Sequence, residues 1–395
     1  MRKIAIVMVV LAAVIACQKI LPGAPNDDNT LDGPVAGLTA EQNARFLAGD
    51  IAFNDEVFTN KTGLGPLFVA SSCGTCHAGD GKGHPFTTLT RFGQVDETGN
   101  HFLSQGGPQL QHRALPGYTP EQIPAGATFS KFMPPANTGL GFLEAVPDAT
   151  LIAMADENDA DGDGISGRVN WVKTPTYTDA SSGHVEQNGK YIGRFGKKAA
   201  VFNLLQQTVG AYSQDMGINS SYEPYDTYTG SEIESEVSNK TVLDLVFYLQ
   251  TLKAPIQRNQ EDAGVNAGKL LFVSTGCGKC HTPQLQTGTS PIAALSGKTF
   301  APYTDLLLHD MGAGLDDGYT EGSAKTSEWR TPPLWGLGLS KISQGGKYFL
   351  LHDGRAQSIE EAILLHGGEG NSSKTKFQQL TQEEKNNLLK FLESL

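Results

Sequence analysis

The chain has 395 residues, 18% of them charged and 39% hydrophobic, with 46 glycines and a net charge of −12. That length allows two domains with cores of their own, while the acidic balance argues against a nucleic-acid binder held by phosphate contacts. Of the five cysteines, four fall in two short motifs, so no pair is left to build a structural disulfide.

Taken in order, the chain opens with Arg2 and Lys3 and then an apolar run from Ile4 to Ile15. A charged start before a short hydrophobic stretch reads as a signal peptide over residues 1–16. Val14-Ile15-Ala16-Cys17 looks like a bacterial lipobox, in which Cys17 becomes the lipidated first residue. Acyl chains there would hold the protein on a membrane surface. Gln18 in the next position favours the outer membrane, so the expected location is periplasmic and lipid-anchored. Residues 17–36 are rich in Pro, Gly, Asn and Asp and read as a flexible tether.

A helical pattern begins at Thr39 and Glu41, with Phe46, Leu47, Ile51 and Phe53 as its apolar positions. Gly63 to Phe68 leads into Cys73-Gly74-Thr75-Cys76-His77, and Gly268 to Val273 leads into Cys277-Gly278-Lys279-Cys280-His281. Both read C-x-x-C-H, the attachment signature of c-type haem: two thiols add to the vinyl groups and the histidine becomes the proximal iron ligand. A redox dithiol or half of a zinc site ordinarily lacks a histidine directly after the second cysteine. Two covalent haems are expected. Their attachment happens outside the cytoplasm, in agreement with the leader.

The matching approaches prompt a search for a repeat. Phe132-Met133-Pro134-Pro135 with Gly139-Leu140-Gly141 resembles Arg330-Thr331-Pro332-Pro333 with Gly336-Leu337-Gly338. Gly196 before the apolar run 201–205 resembles Gly354 before 359–365, and the helical stretch 242–252 resembles 387–395, which Thr381 and Glu384 cap. Strand-like alternation is scarce, so the expected fold is all-α and loop-rich, with two cytochrome c-like haem domains in tandem over 37–255 and 256–395. Between the repeats, Asp159, Asp161 and Asp163 with Gly164 match the first half of an EF-hand-type calcium loop, although Asn170 stands where its closing Glu would be. A solvated acidic turn is the alternative.

These residues together resemble the bacterial di-haem oxidoreductase family, also labelled di-haem peroxidases or thiol oxidoreductases. The carrying segments are LGFLEAVPD (140–148), DGDGISGR (161–168), GRFGKKA (193–199), QDMGI (214–218), YTDLLLHDMG (303–312), WRTPPLWG (329–336), LHDGRA (351–356) and EEAILLHGGE (360–369). The resemblance implies a peroxidase-like oxidoreductase with an electron-transfer C-terminal haem and a peroxide-activating N-terminal haem. It implies His366 as the distal ligand of the second haem, at the position where related enzymes carry a methionine, with His309 and His352 as competitors. By the repeat, the matching N-terminal position falls near Thr208 or Val209, which leaves that iron open; Met133 is the competing ligand there. It further implies Asp215 as the acid–base group, Gln207 or Gln206 as its hydrogen-bonding companion, and Trp335 as an electron relay, with Trp171 and Trp329 as alternatives. Lys197 stands where members often carry a tryptophan, so a relay at that step would be missing. The expected partners are an electron-donor cytochrome or other small redox protein and a peroxide-type substrate. The rival reading is a non-catalytic di-haem electron-transfer lipoprotein, or an accessory to iron acquisition. With Cys17 lipidated and four thiols tied to haem, no dithiol exchange is available to the mature chain.

Overall fold

The computed structural model describes residues 26–96 and 99–395; the leader and Cys17 lie outside the described residues. Its backbone is built on helices that each half uses in the same way. Helix α1 (Ala40–Asp50) starts at a capping box in which the Thr39 side chain accepts from Gln42 N–H and the Gln42 side chain accepts from Thr39 N–H. It buries Phe46, and Phe53 on the π-helical turn that follows. Leu47 and Ile51, read from the sequence as core positions, are 58% and 59% exposed. The face that meets the helix Asn239–Thr251 is the one carrying Phe46 and Gly49, and Leu47 and Ile51 lie round the helix from it.

Helix α2 (Leu204–Gly210) is capped by Asn203, and α3 (Asn239–Thr251) by Ser238. In the second half α4 (Ala263–Ser274) is capped by Asp262, α5 (Ile359–Leu364) by Ser358, and α6 (Gln382–Ser394) by the Thr381–Glu384 capping box. The helix before each C-x-x-C-H motif crosses the last helix of its own half at a glycine. A Cβ on Gly49 would strike the Asp244 carbonyl of α3, and one on Gly268 would strike the Asn387 carbonyl of α6. A second matched pair repeats the device, Gly141 against Gln250 and Gly338 against Glu393. Gly139 (φ +72°) donates its N–H to Leu252, and Gly336 (φ +69°) donates to Leu395. The internal repeat is therefore real at the level of backbone contacts.

The all-α expectation needs correction. Helices share the described residues with short strands, a mixed fold. Six two-stranded antiparallel sheets occur among the described residues. Three of them frame the centre: β1 (Leu89–Phe92) on β2 (Phe129–Phe132), β3 (Asn170–Val172) on β4 (Tyr191–Gly193), and β5 (Leu308–Asp310) on β6 (Glu328–Arg330). Each is too short to show alternation, so sequence periodicity does not reveal it. Two main apolar cores lie on either side. The larger gathers Phe46, Tyr212, Leu245 and Tyr248 but also takes Leu285, Leu295 and Trp335 from the second half. The smaller packs Val265, Phe272, Phe377 and Phe391.

Candidate functional site

Between the two C-x-x-C-H motifs runs one cavity of about 770 Å³, largely apolar, and both pairs of thiols and both imidazoles face it. At the first motif Ser72 Oγ caps the turn by accepting from Thr75 N–H (3.3 Å). The turn closes with His77 N–H on the Cys73 carbonyl, and at the second motif with His281 N–H on the Cys277 carbonyl, both 3.0 Å. Each ring is then aimed from behind: His77 Nδ1 donates to the Pro135 carbonyl (2.9 Å) and His281 Nδ1 to the Tyr303 carbonyl (3.0 Å). That leaves Nε2 as the free lone pair, and such a partner is what orients a ligating histidine. Burial pushes both imidazoles down to about 4, the neutral form a metal ligand requires. Two thiols plus one oriented neutral imidazole, repeated on a shared apolar cavity, is a donor set suited to two haems.

The rest of the cavity wall differs between the motifs. His366 lines it near His281, close enough that its charge would depress that ring, and its own Nδ1 donates to the Ala362 carbonyl (2.7 Å). His366 sits eight residues past the N-cap Ser358 of α5; eight past the N-cap Asn203 of α2 is Ala211, which also lines the cavity. Counting from the caps thus moves the matched position from Thr208 or Val209 to Ala211, because the cap Asn203 lies seven residues past Gly196 whereas the cap Ser358 lies four past Gly354. Thr208 does line the cavity with a buried hydroxyl that has no partner, and Val209 lies in the core.

Neither competitor of His366 has the look of a ligand. His309 is held between Asp305 (Nε2, 2.9 Å) and Glu369 (Nδ1, 2.7 Å), which hold it as imidazolium. Burial opposes the charge, but the two carboxylates win and raise its pKa far above the ordinary value. His352 stacks on Trp329 with centroids 3.7 Å apart, and burial lowers it to about 3. Met133 lines the cavity, donates its N–H to the His352 carbonyl (2.7 Å), and lays its methyl against Gly354.

Asp215 ends the π turn, and its charge acts on both Cys73 and Cys76, so it faces the first motif. Burial pushes its carboxyl up to about 6, against the pull of a Gln109 hydrogen bond and of Arg91. The side chain bonded to Asp215 is Gln109, not Gln207 or Gln206. Gln206 Oε1 accepts from Phe202 N–H (2.8 Å) at the start of α2, while Gln207 is an exposed residue of the cavity wall. Gln109 Oε1 in turn accepts from Arg91 (3.3 Å), which also reaches Gln214 (3.3 Å) and pairs with buried Glu321 (2.6 Å). Gln109 and Arg91 went unread in the sequence. They stand more than a hundred residues before Asp215 and in no motif, and only the pairing of β1 with β2 and the loop beside it brings them there.

Trp335 lines the cavity and extends an edge of aromatic rings through Phe300 (5.8 Å) to Phe142 (5.4 Å from Phe300). Trp329 carries the Lys198 ammonium over its face at 3.8 Å, and Trp171 also lines the cavity. In the acidic loop, ligand atoms of Asp156, Asp159 and Asp161 lie within 4.8 Å of one another. Asp163 is not among them. It pairs with Lys279 (2.6 Å), inside the second C-x-x-C-H motif, and so docks the loop on that turn.

Among solved structures, the chain overlays on hydrazine synthase of Kuenenia stuttgartiensis pressurised with xenon. The overlay covers 95% of this chain and 98% of that one at a TM-score of 0.41 and 14% identity, too loose to carry an argument. No curated protein matches the chain. The model of one family, described as "Di-haem oxidoreductase, putative peroxidase", matches residues 130–395, so that its match starts on β2 and leaves the first C-x-x-C-H motif upstream. With two haem-binding motifs on one cavity and that match over most of its length, the chain belongs to the di-haem oxidoreductase family.

Proposed function

We propose that the protein is an extracytoplasmic peroxidase-like enzyme with two covalent c-type haems, one reactive and one storing electrons. The observation that carries this is the contrast of matched helices: α5 brings His366 to the cavity, whereas α2 brings Ala211 and then Asp215. Alanine cannot ligate iron. A haem held by Cys73, Cys76 and His77 would meet Ala211 and Asp215 at the matched place on the wall, while one held by Cys277, Cys280 and His281 would meet His366. The haem iron supplies the peroxide-binding and electron-accepting chemistry.

The chain supplies the proton management. Asp215, whose carboxyl burial raises to about 6, would take a proton from the near peroxide oxygen and return it to the far one. Gln109 orients the carboxylate, and Arg91 holds Gln109. Trp335, with Phe300, offers an aromatic path for electrons along the cavity edge. Neutral His366 and His281 suit a six-coordinate electron carrier. Asp159 and Asp161 with Asp156 form the carboxylate set for calcium in this reading, and Cys17 carries the lipid anchor at the periplasmic face of the outer membrane. A small redox protein would deliver the electrons.

EPR of the ferric protein tests the reading. One high-spin and one low-spin signal are expected, and His366→Ala should convert only the low-spin one. Two low-spin signals that ignore peroxide and cyanide would instead make the protein an electron-transfer module without turnover.

A further inference from the structure

Most buried cations of this chain are matched to anions or carbonyl clusters. Arg91 pairs with Glu321, Arg168 with Glu328, Arg194 with Asp148, and the Lys198 ammonium donates to three main-chain carbonyls. Three cations on the cavity wall break this pattern. Among the described residues no ion pair or hydrogen bond holds the Lys82 or Lys197 ammonium. The Arg330 guanidinium meets only main-chain oxygens, those of Gly196 (2.9 Å) and Thr331 (3.2 Å). All three are half-buried, and the carboxylates that act on them, Asp353 on Lys197 and Asp305 on Arg330, form no ion pair with them, so each charge is poorly compensated on a largely apolar wall. Its natural complement is a carboxylate that enters the cavity.

Their placement says which carboxylate. Lys82 follows His77 by five residues, on the loop whose Gly83 N–H donates to the Pro134 carbonyl (3.0 Å), next to the Pro135 carbonyl that aims His77. Arg330 precedes Thr331, whose N–H donates to Leu307 (2.9 Å) and whose carbonyl accepts from Thr304, neighbour of the Tyr303 that aims His281. Lys197 adjoins Arg330, since its carbonyl accepts the Arg330 N–H (2.9 Å), and it lies near enough to Lys82 to feel that charge. One cation thus stands beside each proximal-histidine support and a third is close to both.

We propose that Lys82, Lys197 and Arg330 form one carboxylate-receiving cradle that seats haem propionates from both sites and links the two potentials. The cradle rests on the covalent di-haem reading above. Lys197 is close to both of the others: burial first, then Lys82 and Arg330, depress it to about 7 against the pull of Asp353, while burial lowers Lys82 to about 8 and, against Asp305, Arg330 to about 10. A propionate among them would relieve that crowding. A positive charge beside a haem favours its reduced form, so each cation raises the potential of the haem it touches. Lys197, being shared, acts on both.

Spectroelectrochemical titration of the purified holoprotein tests this, after a pyridine haemochrome assay has counted the haems. Fewer than two haems c per chain would sink the covalent reading, and the cradle with it. With both haems present, Lys197→Gln should lower both midpoint potentials, Lys82→Gln chiefly that of the N-terminal haem, and Lys197→Arg neither. Unchanged potentials in a fully loaded, normally melting Lys197→Gln protein overturn the cradle. So does saturable binding of acetate by the wild-type holoprotein that Lys197→Gln abolishes, because the cations would then serve a free carboxylate from solution.

Discussion

In the N-terminal half Gly141 presses on α3 and Gly139 donates to Leu252; in the C-terminal half Gly338 presses on α6 and Gly336 donates to Leu395. Gly196 (φ +80°) and Gly354 (φ +83°) take the same left-handed turn ahead of α2 and α5, and both proximal histidines are aimed by a backbone carbonyl. Against this shared frame the far walls diverge. One half ends its helix in a regular turn and a histidine, the other in a π turn and a carboxylate. A duplicated scaffold keeps its backbone contacts because they close the fold. The side chains that face the cavity bear no such load and can separate into a reactive site and an electron store.

The comparison breaks most sharply at Asp215. Asp215→Asn should slow the peroxide reaction by about 10²–10⁴-fold while leaving both haem spectra intact, the range for loss of a positioned acid–base group. The wild-type rate should rise with pH through about 6, where Asp215 ionises and becomes able to accept a proton. Because its folded pKa lies above the ordinary value of 3.8, Asp215 costs the fold stability progressively from about pH 3.8 to about 6, and the full loss is carried at higher pH. The same variant should therefore melt higher at neutral pH. An unchanged rate would remove Asp215 from the chemistry.

His309 has no counterpart in the first half, and its loss should cost stability rather than peroxide chemistry. His309→Ala leaves Asp305 and Glu369 buried without their cation, and a denaturant titration should show a loss of about 3–5 kcal/mol. Its raised pKa means the contribution is complete below pH 6.5 and falls as pH rises above it. Stability flat on the alkaline side would contradict the assignment.

The shared frame is tested by Gly141→Ala and Gly338→Ala, each of which drives a methyl into a backbone carbonyl. Both should cost about 1–3 kcal/mol in thermal melts, and by similar amounts. A large difference between them would mean the halves are not closed alike. The smallest effect belongs to Lys279→Gln, which removes an exposed lysine's pair with Asp163 and should shift the thermal melt only slightly, and less still in high salt.

Much of this was legible in residues alone. The two C-x-x-C-H motifs, the glycine pairs of the repeat and the cap of α6 are local signals, set by bond geometry over a few consecutive residues, whereas the candidates His366 and Asp215 came from the family resemblance. Three things were not. The sheets are too short to alternate, so the fold read as all-α. Three more residues separate Gly196 from the cap of α2 than separate Gly354 from the cap of α5, which moved the partner of His366 to Ala211, and the face that α1 turns to α3 left Leu47 and Ile51 exposed. Gln109 and Arg91 reach Asp215, and Lys82 and Arg330 flank Lys197, only because distant loops are folded onto one cavity wall. Sequence alone determined where haem can be attached, since attachment needs five adjacent residues. Tertiary structure decided what surrounds each attachment, since a cavity wall gathers residues by distance in space and not by distance along the chain.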